Sequence, residues 1–222
     1  MTLPGVDAAP RSAVILGAGG HAKVIVEILR GARPDLRLVG VLGREPVGPP
    51  VLGLPVLGDD RELARLGREG VRCAFVAIGN NRLREQLCAR LREEGFELLQ
   101  AISPAAFISP SARLGGGVAV MAGAVIQAEA VLGEATIINT GATVDHDCLL
   151  GPAVHLGPGV AVAGEVQIGA RALIGVGASV VPRVRIGHDT VVGAGACVTG
   201  DLPDAVLALG VPARISRHLL QT

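Results

Sequence analysis

Aliphatic residues recur at every sixth position from Ile102 to Val198. The series runs Ile102, Ile108, Leu114, Val120, Ile126, Leu132, Ile138, Val144 and Leu150. It continues through Leu156, Val162, Ile168, Ile174, Val180, Ile186, Val192 and Val198, which makes 17 hexads without a slip. If about a third of residues were aliphatic, chance would produce such a run on the order of once in 10⁸. The next position is Gly in 8 of the 17, as at Gly115, Gly133, Gly151 and Gly169. The fifth position is small or β-branched, as at Ala124, Thr136, Ala142, Cys148 and Val154. A short fixed period marks a solenoid, and hexads mark a parallel β-helix. Three hexads make one coil with three flat faces. The first position points inward, the fifth fills a smaller interior slot, and Gly eases a corner where φ > 0 is needed. About 5.7 coils at a strand spacing of roughly 4.8 Å give a column of about 27 Å.

Upstream the period changes. Residues 1–12 read as a loose tail. Ala13–Leu16 predicts a strand, followed by a glycine turn and a helix to about Arg30. Leu36–Leu42 predicts a second strand and Val47–Gly58 an irregular loop. Asp59 caps a helix to about Arg68. Arg72–Ile78 predicts a third strand, Arg82–Glu94 a helix stopped by Gly95, and Phe96–Gln100 a last strand. This alternation predicts a small α/β, Rossmann-like domain with a parallel sheet over 1–101, and the β-helix with its tail over 102–222. After Val198 the rhythm breaks at Asp201-Leu202-Pro203-Asp204. The chain then runs through Gly210-Val211-Pro212-Ala213-Arg214 into a short polar helix or coil.

Composition narrows the function classes. Hydrophobic residues make up 50% of the chain and aromatic residues 1%, namely Phe75, Phe96 and Phe107. A thin β-helix has no room for large rings, and their scarcity removes the stacking platforms of a single-strand nucleic-acid binder. The 20 basic and 20 acidic residues cancel, so nothing electrostatic favours nucleic acid or an anionic membrane. Met1–Pro10 lacks a basic start followed by an apolar run, so no signal peptide is expected. The longest stretch without Asp, Glu, Lys or Arg, Cys148–Gly164, is broken by Gly and Pro and is no membrane helix. The four cysteines show no CxxC spacing and read as cytosolic thiols. A cytoplasmic protein is expected.

Candidate chemistry comes from two short motifs. Gly17-Ala18-Gly19-Gly20-His21-Ala22 fits G-x-G-x-x-A between a strand and a helix. It is either an anion hollow at a helix N-terminus or a tight turn that needs Gly anyway. NAD would want an acid at the end of the second strand, where this chain has Val41-Leu42-Gly43-Arg44. The second motif is Val144-Asp145-His146-Asp147-Cys148. His146 points outward beside a corner, and a carboxylate from Asp147 or Asp145 would raise its basicity as a general base. The alternative is a polar surface turn, the reading also given to His188 in Gly187-His188-Asp189. His155 reads as a surface histidine, since a metal site would need several converging ligands; no metal is expected. Cys148 reads as core filling at an inward position.

Residues 13–214 resemble one group within the hexapeptide acyltransferases. These are the bacterial nucleotide-sugar N-acetyltransferases of bacillosamine and perosamine type, with the related sialic acid O-acetyltransferases. The resemblance rests on the hexads and on Gly-Ala-Gly-Gly-His-Ala-Lys (17–23), Gly53-Leu54-Pro55-Val56-Leu57-Gly58 and Ala77-Ile78-Gly79-Asn80-Asn81-Arg82. Ile102-Ser103-Pro104, Asp145-His146-Asp147 and Gly210-Val211-Pro212-Ala213-Arg214 complete it. It implies a left-handed β-helix and acetyl-CoA as donor. It also implies a nucleotide-linked amino sugar as acceptor, a 4-amino-4-deoxy sugar, in glycan or O-antigen biosynthesis. By position it makes His146 the catalytic base and Asp147 the residue that raises its basicity. Gly19, Gly20, His21 and Asn80 would face the nucleotide sugar. His155, Gly164, Val176 and Ala194 would line the acetyl-CoA site. It further implies a homotrimer whose active sites lie between subunits. Relatives that use UDP-sugars carry two acids after the second strand; Leu42-Gly43 stands there here, which leaves UDP and GDP both open. The alternative chemistry on the same scaffold is O-acetylation of a sialic acid or related sugar.

Overall fold

The computed structural model describes residues 10–45 and 48–219. A four-stranded parallel sheet comes first. Its strands are β1 (Arg11–Leu16), β2 (Leu36–Leu42), β3 (Cys73–Val76) and β4 (Glu97–Leu98), in the order β2-β1-β3-β4. Helices α1 (Gly20–Ala32), α2 (Leu63–Arg68) and α3 (Asn81–Glu93) make the crossovers. All four predicted strands and all three helices are present. β3 and β4 are shorter than their apolar runs. The tail expected over 1–12 is already strand at Arg11; residues 1–9 and Val47 of the predicted loop lie outside the described residues. Asn80 caps α3, its side chain accepting from the Leu83 N–H.

The solenoid follows as 17 two-residue strands, β5 (Ala101–Ile102) to β21 (Cys197–Val198), one per hexad. Strands pair in parallel across three hexads, as Ile137 with His155 and Thr143 with Ala161. Three faces result. The first carries the strands at Ile137 and His155, the second those at Thr143 and Ala161, and the third those at Leu149 and Gln167. First-position aliphatics such as Ile126, Ile138 and Leu156 share one core with fifth-position residues such as Ala142, Cys148 and Val154. Each fully buried aliphatic contributes about 1.5–3 kcal/mol.

The corner glycines have a different cause from the one expected. The left-handed conformation falls at the fourth position of the hexads, where Ala135 (φ 58°), Asp147 (φ 57°) and Ala153 (φ 54°) adopt it without being Gly. The second-position glycines are needed because coils stack closely. A Cβ on Gly133 would lie 2.5 Å from the Pro152 nitrogen, and one on Gly151 would lie 2.7 Å from that of Ala170. At the corner between the third and first faces, where Gly115, Gly133, Gly151, Gly169 and Gly187 stack, only hydrogen fits between successive backbones; the corner between the second and third faces takes Gln127, Asp145 and Ala163 at the same position.

The C-terminal segment is also a correction. β22 (Val206–Leu209) extends the first face, and β23 (Arg214–His218) pairs with it antiparallel where a helix or coil was expected. Its exposed Arg214, Arg217 and His218 put charge on an edge that would otherwise invite further strand pairing. Residues 220–222 lie outside the described residues.

The α/β layer docks on the solenoid rather than trailing from it. Ile25, Val26 and Leu29 of α1 share a core with Ala119, Met121 and Ile137 of the first face. Cys88 and Leu91 of α3 pack with the corner residues Ala135 and Ala153.

Candidate functional site

The glycine motif resolves into two parts. Gly17 has a packing role: at φ +116°, its added Cβ would lie 2.5 Å from the Ala77 carbonyl oxygen. Gly19 and Gly20 have none, since nothing lies within 4 Å of a Cβ built on either. Both are exposed, Gly19 caps α1 in an extended conformation, and the first turn of α1 carries no acid. The helix start therefore keeps open N–H groups and an unopposed positive end for an anion. Beside it, at the carboxyl ends of β1, β2 and β3, lies a cavity of about 560 Å³. Leu16, Leu42, Ile78, Leu83 and Leu87 give it apolar walls, and Arg44, Asp59 and Asp60 add charge. Such a crevice is where open α/β sheets take ligands.

His21 turns inward. Its Nε2 is buried without a hydrogen-bond partner. Burial, and then the charge of Arg84, lower its pKa to about 4. His155 is corrected from a surface histidine: it lies on the first face, where the α/β layer covers it. Burial first, then Arg84 and His21, lower its pKa to about 4, and its Nε2 lies 3.4 Å from Asn139 Nδ2.

His146 sits at the corner between the second and third faces, with its side chain 54% exposed. Its Nδ1 is 2.8 Å from Asp147 Oδ2. Asp145 does something else, since its carboxylate accepts from the His146 backbone N–H at 2.8 Å. The left-handed φ of Asp147 turns its carboxylate toward the ring. The bond to Asp147 raises the His146 pKa, helped by the charges of Asp145, Asp147 and Glu165. Nδ1–H donates to Asp147, which leaves the Nε2 lone pair outward as a base. Gly164, one coil on, lies under the ring. A Cβ there would be 2.7 Å from both Cε1 and Nε2.

His188 makes the useful contrast. Its Nδ1 meets Asp189 at 2.9 Å and its Nε2 meets Asp204 at 2.9 Å, so both nitrogens are already engaged by the protein's own carboxylates and neither is open to a substrate. Cys148 is buried, its thiol donates to the Ala163 carbonyl at 3.1 Å, and burial raises its pKa. A protonated inward thiol is no nucleophile.

The remaining candidates do not converge within one chain. Gly164 shares the corner of His146. Val176 and Ala194 are exposed on the corner between the first and second faces. His155 faces the α/β layer. A shallow groove of about 510 Å³ runs along the second face between these corners, over Val125, Thr143, Ala161 and Ser179. Among the described residues no group of three or more His, Cys, Asp or Glu could hold a metal ion. No described helix is long and apolar enough to cross a membrane.

Two features escaped the sequence reading. Asp59 and Asp60 bring an acid pair to the cavity from the far end of the loop after β2, whereas the sequence marks Asp59 only as a helix cap. Arg84 lies wholly buried on α3 in register with Cys88 and Leu91. A cation on that inward stripe was the available signal.

Comparison with known proteins bears on all of this. Residues 12–91 match the family model of the PglD N-terminal domain. A UDP-N-acetylbacillosamine N-acetyltransferase of Bacillus subtilis is 41% identical over 122 residues, which are 50% of this chain and 52% of that protein. The match thus spans about half the length of that curated relative. A histidine variant of perosamine N-acetyltransferase from Caulobacter crescentus, solved with CoA and GDP-perosamine, is 53% identical. It superposes with a TM-score of 0.90, covering 93% of this chain and 97% of that one. The acetyltransferase domain of PglB from Neisseria gonorrhoeae, solved with acetyl coenzyme A, is 41% identical with a TM-score of 0.86, covering 92% and 98%.

Proposed function

Because the chain belongs to the nucleotide-sugar N-acetyltransferases of perosamine and bacillosamine type, we propose that it transfers acetyl from acetyl-CoA to a nucleotide-linked amino sugar. One observation carries the chemistry: His146 Nε2 is free and outward, while Asp147 holds Nδ1. The sugar amine attacks the thioester carbonyl carbon. His146 Nε2 takes the proton that the nitrogen sheds as the C–N bond forms. The C–S bond then breaks, and the CoA thiolate leaves and is protonated through water. No acyl-enzyme is needed, in keeping with the inert Cys148. Backbone N–H groups of a neighbouring coil stabilise the oxyanion.

Residues 1–101 hold the nucleotide sugar and residues 102–222 perform the transfer. Gly19, Gly20, His21 and Asn80 serve the nucleotide sugar; His155, Gly164, Val176 and Ala194 serve acetyl-CoA. That second set is spread over the first face and two corners of the prism, and the groove along the second face has only one wall. Both features support a homotrimer in which a neighbouring subunit closes each site. The protein works in the cytoplasm on a 4-amino-4-deoxy sugar for glycan or O-antigen synthesis.

The cavity favours guanine as the base. A carboxylate accepts only. Guanine offers adjacent N1–H and N2–H donors, whereas uracil and thymine offer one N–H between two carbonyls. Asp60 is suited to that edge, since only its Oδ2 is engaged, by Arg90 at 2.6 Å. The 53% identical relative that binds GDP-perosamine supports the same choice. The test is acetyl transfer to GDP-, UDP- and dTDP-linked amino sugars, in wild type and His146→Asn. Transfer to the GDP-sugar that drops by orders of magnitude in a folded His146→Asn is expected. Near-normal turnover of that variant would sink the role of His146, and preference for a hydroxyl acceptor would move the reading to O-acetylation.

A further inference from the structure

Arg84 is the largest fully buried side chain of the described residues. All five of its N–H donors are used. Nε donates to the Ala135 carbonyl at 2.7 Å. Nη1 donates to the carbonyls of Ile78 at 2.9 Å and Gly79 at 3.2 Å. Nη2 donates to Asn81 Oδ1 and to the Ala153 carbonyl, each at 2.8 Å. None of these acceptors is a carboxylate. Burying a guanidinium without a bonded counter-ion is unfavourable, and apolar residues of similar volume commonly serve stability as well or better. Filling the space does not account for the charge. The geometry of its acceptors does.

The acceptors belong to two bodies. Ile78, Gly79 and Asn81 form the turn from β3 into α3, which lines the base cavity and carries Asn80. Ala135 and Ala153 are corner residues of consecutive coils, and Ala153 lies two residues before His155. Asn81 continues the clamp, its Nδ2 donating to the Arg171 carbonyl at 2.8 Å and to that of Ala172 at 3.2 Å. The guanidinium also lies close enough to His21 and His155 to disfavour protonation of both. These residues belong to the proposed nucleotide-sugar and acetyl-CoA sets respectively.

We propose that Arg84 is a positioning residue that fixes the nucleotide-sugar site in register with the first face of the β-helix, which carries His155 of the proposed acetyl-CoA set. This rests on the functional reading above. The nucleotide is anchored by one body and the acetyl group by the other. An error in their relative placement therefore passes directly to the distance between amine and thioester. Registration of this kind governs turnover rather than the binding of either substrate alone.

The test uses the full-length protein and the variants Arg84→Lys, Arg84→Met and Asn81→Ala. Kd values for GDP and for CoA are measured separately. Acetyl transfer is followed both to the GDP-linked amino sugar and to a small free amine that the α/β layer does not anchor. The expected result is separate Kd values within about threefold of wild type and an unchanged rate on the small amine. With these, kcat on the nucleotide sugar falls on the order of 100-fold for Arg84→Met and about tenfold for Asn81→Ala. A folded Arg84 variant with near wild-type kcat on the sugar overturns the proposal. So does a parallel fall on both acceptors, which would mark general damage to the solenoid. If neither Arg84 variant folds, Asn81→Ala decides by the same criteria. A wild-type protein that binds CoA and acetylates the small amine but no nucleotide-linked sugar refutes the functional reading instead.

Discussion

Gly164→Ala isolates the base from the stability of the solenoid. The added Cβ would lie 2.7 Å from Cε1 and Nε2 of His146 and 3.3 Å from Cδ2. Ordinary contacts between such atoms are about 3.5–4.0 Å, so the imidazole must withdraw by roughly 1 Å. It can do so cheaply because the ring is on the surface. Withdrawal nevertheless breaks the 2.8 Å contact from Nδ1 to Asp147 and moves Nε2 from its position. A misplacement of about 1 Å costs on the order of 100-fold in rate. Gly164 is not among the glycines with positive φ, so Ala fits the backbone and stabilises by about 0.4–1 kcal/mol through the unfolded chain. The expected outcome is therefore a kcat about 100-fold lower with Tm unchanged or slightly raised. Thiol release from acetyl-CoA gives the first and calorimetry the second, with KM for acetyl-CoA read from the same data. A kcat within about threefold of wild type at unchanged Tm would refute the reasoning, because the ring's placement would then not set the rate.

Three further outcomes follow from the same geometry. Asp147 raises the His146 pKa above its ordinary 6.5, so the free base is lost as pH falls through that raised value. Asp147→Asn should shift the acid limb of the pH–rate profile to lower pH and reduce kcat; an unmoved limb would contradict the pairing. Cys148→Ala should keep most of the activity while costing some stability through the emptied core slot; loss of activity in a folded variant would reopen the acyl-enzyme route. His21 and His155 have folded pKa values of about 4, below the 6.5 of the unfolded chain. Their contribution is complete above pH 6.5 and is lost as pH falls toward 4. Each accounts for roughly 3 kcal/mol by linkage. Denaturant titrations across that range should show the loss, and His155→Gln should flatten it; identical pH dependence would show that the histidines are not what titrates.

The solenoid was legible in the sequence because its code is local. Each hexad repeats one inward aliphatic, one inward small residue and one tight corner, and each coil contacts only its neighbours. Seventeen repeats state the same instruction, so the hexad frame from Ile102 to Val198 was legible, whereas the strands at Val206–Leu209 and Arg214–His218 that extend the first face were not. His146 and Asp147 were legible for a related reason: residues that are adjacent in sequence at a corner stay adjacent in space. The corner glycines show the limit even there, since their cause is the backbone of the next coil, which one hexad does not reveal.

What tertiary structure alone decided depends on how the α/β layer folds back. Nothing in the sequence around His155 and His188 showed that one of them would be covered. Docking of α1 and α3 buries His155 beside His21 and Arg84. His188 is left on the surface, where the adjacent Asp189 and Asp204 of the next coil take both its nitrogens. Asp59 and Asp60 reach the cavity only because the loop after β2 returns to the carboxyl ends of the strands. The Gly17-Ala18-Gly19-Gly20 turn could not be divided from sequence either, because its first glycine answers to the backbone of Ala77 and the next two to open space. The periodic interior fixed the scaffold through contacts within and between successive coils. The candidate site was decided by residues far apart in sequence that the fold brings together, such as Arg84 with Ala135, 51 positions apart, and His21 with His155, 134 positions apart, which no local pattern encodes.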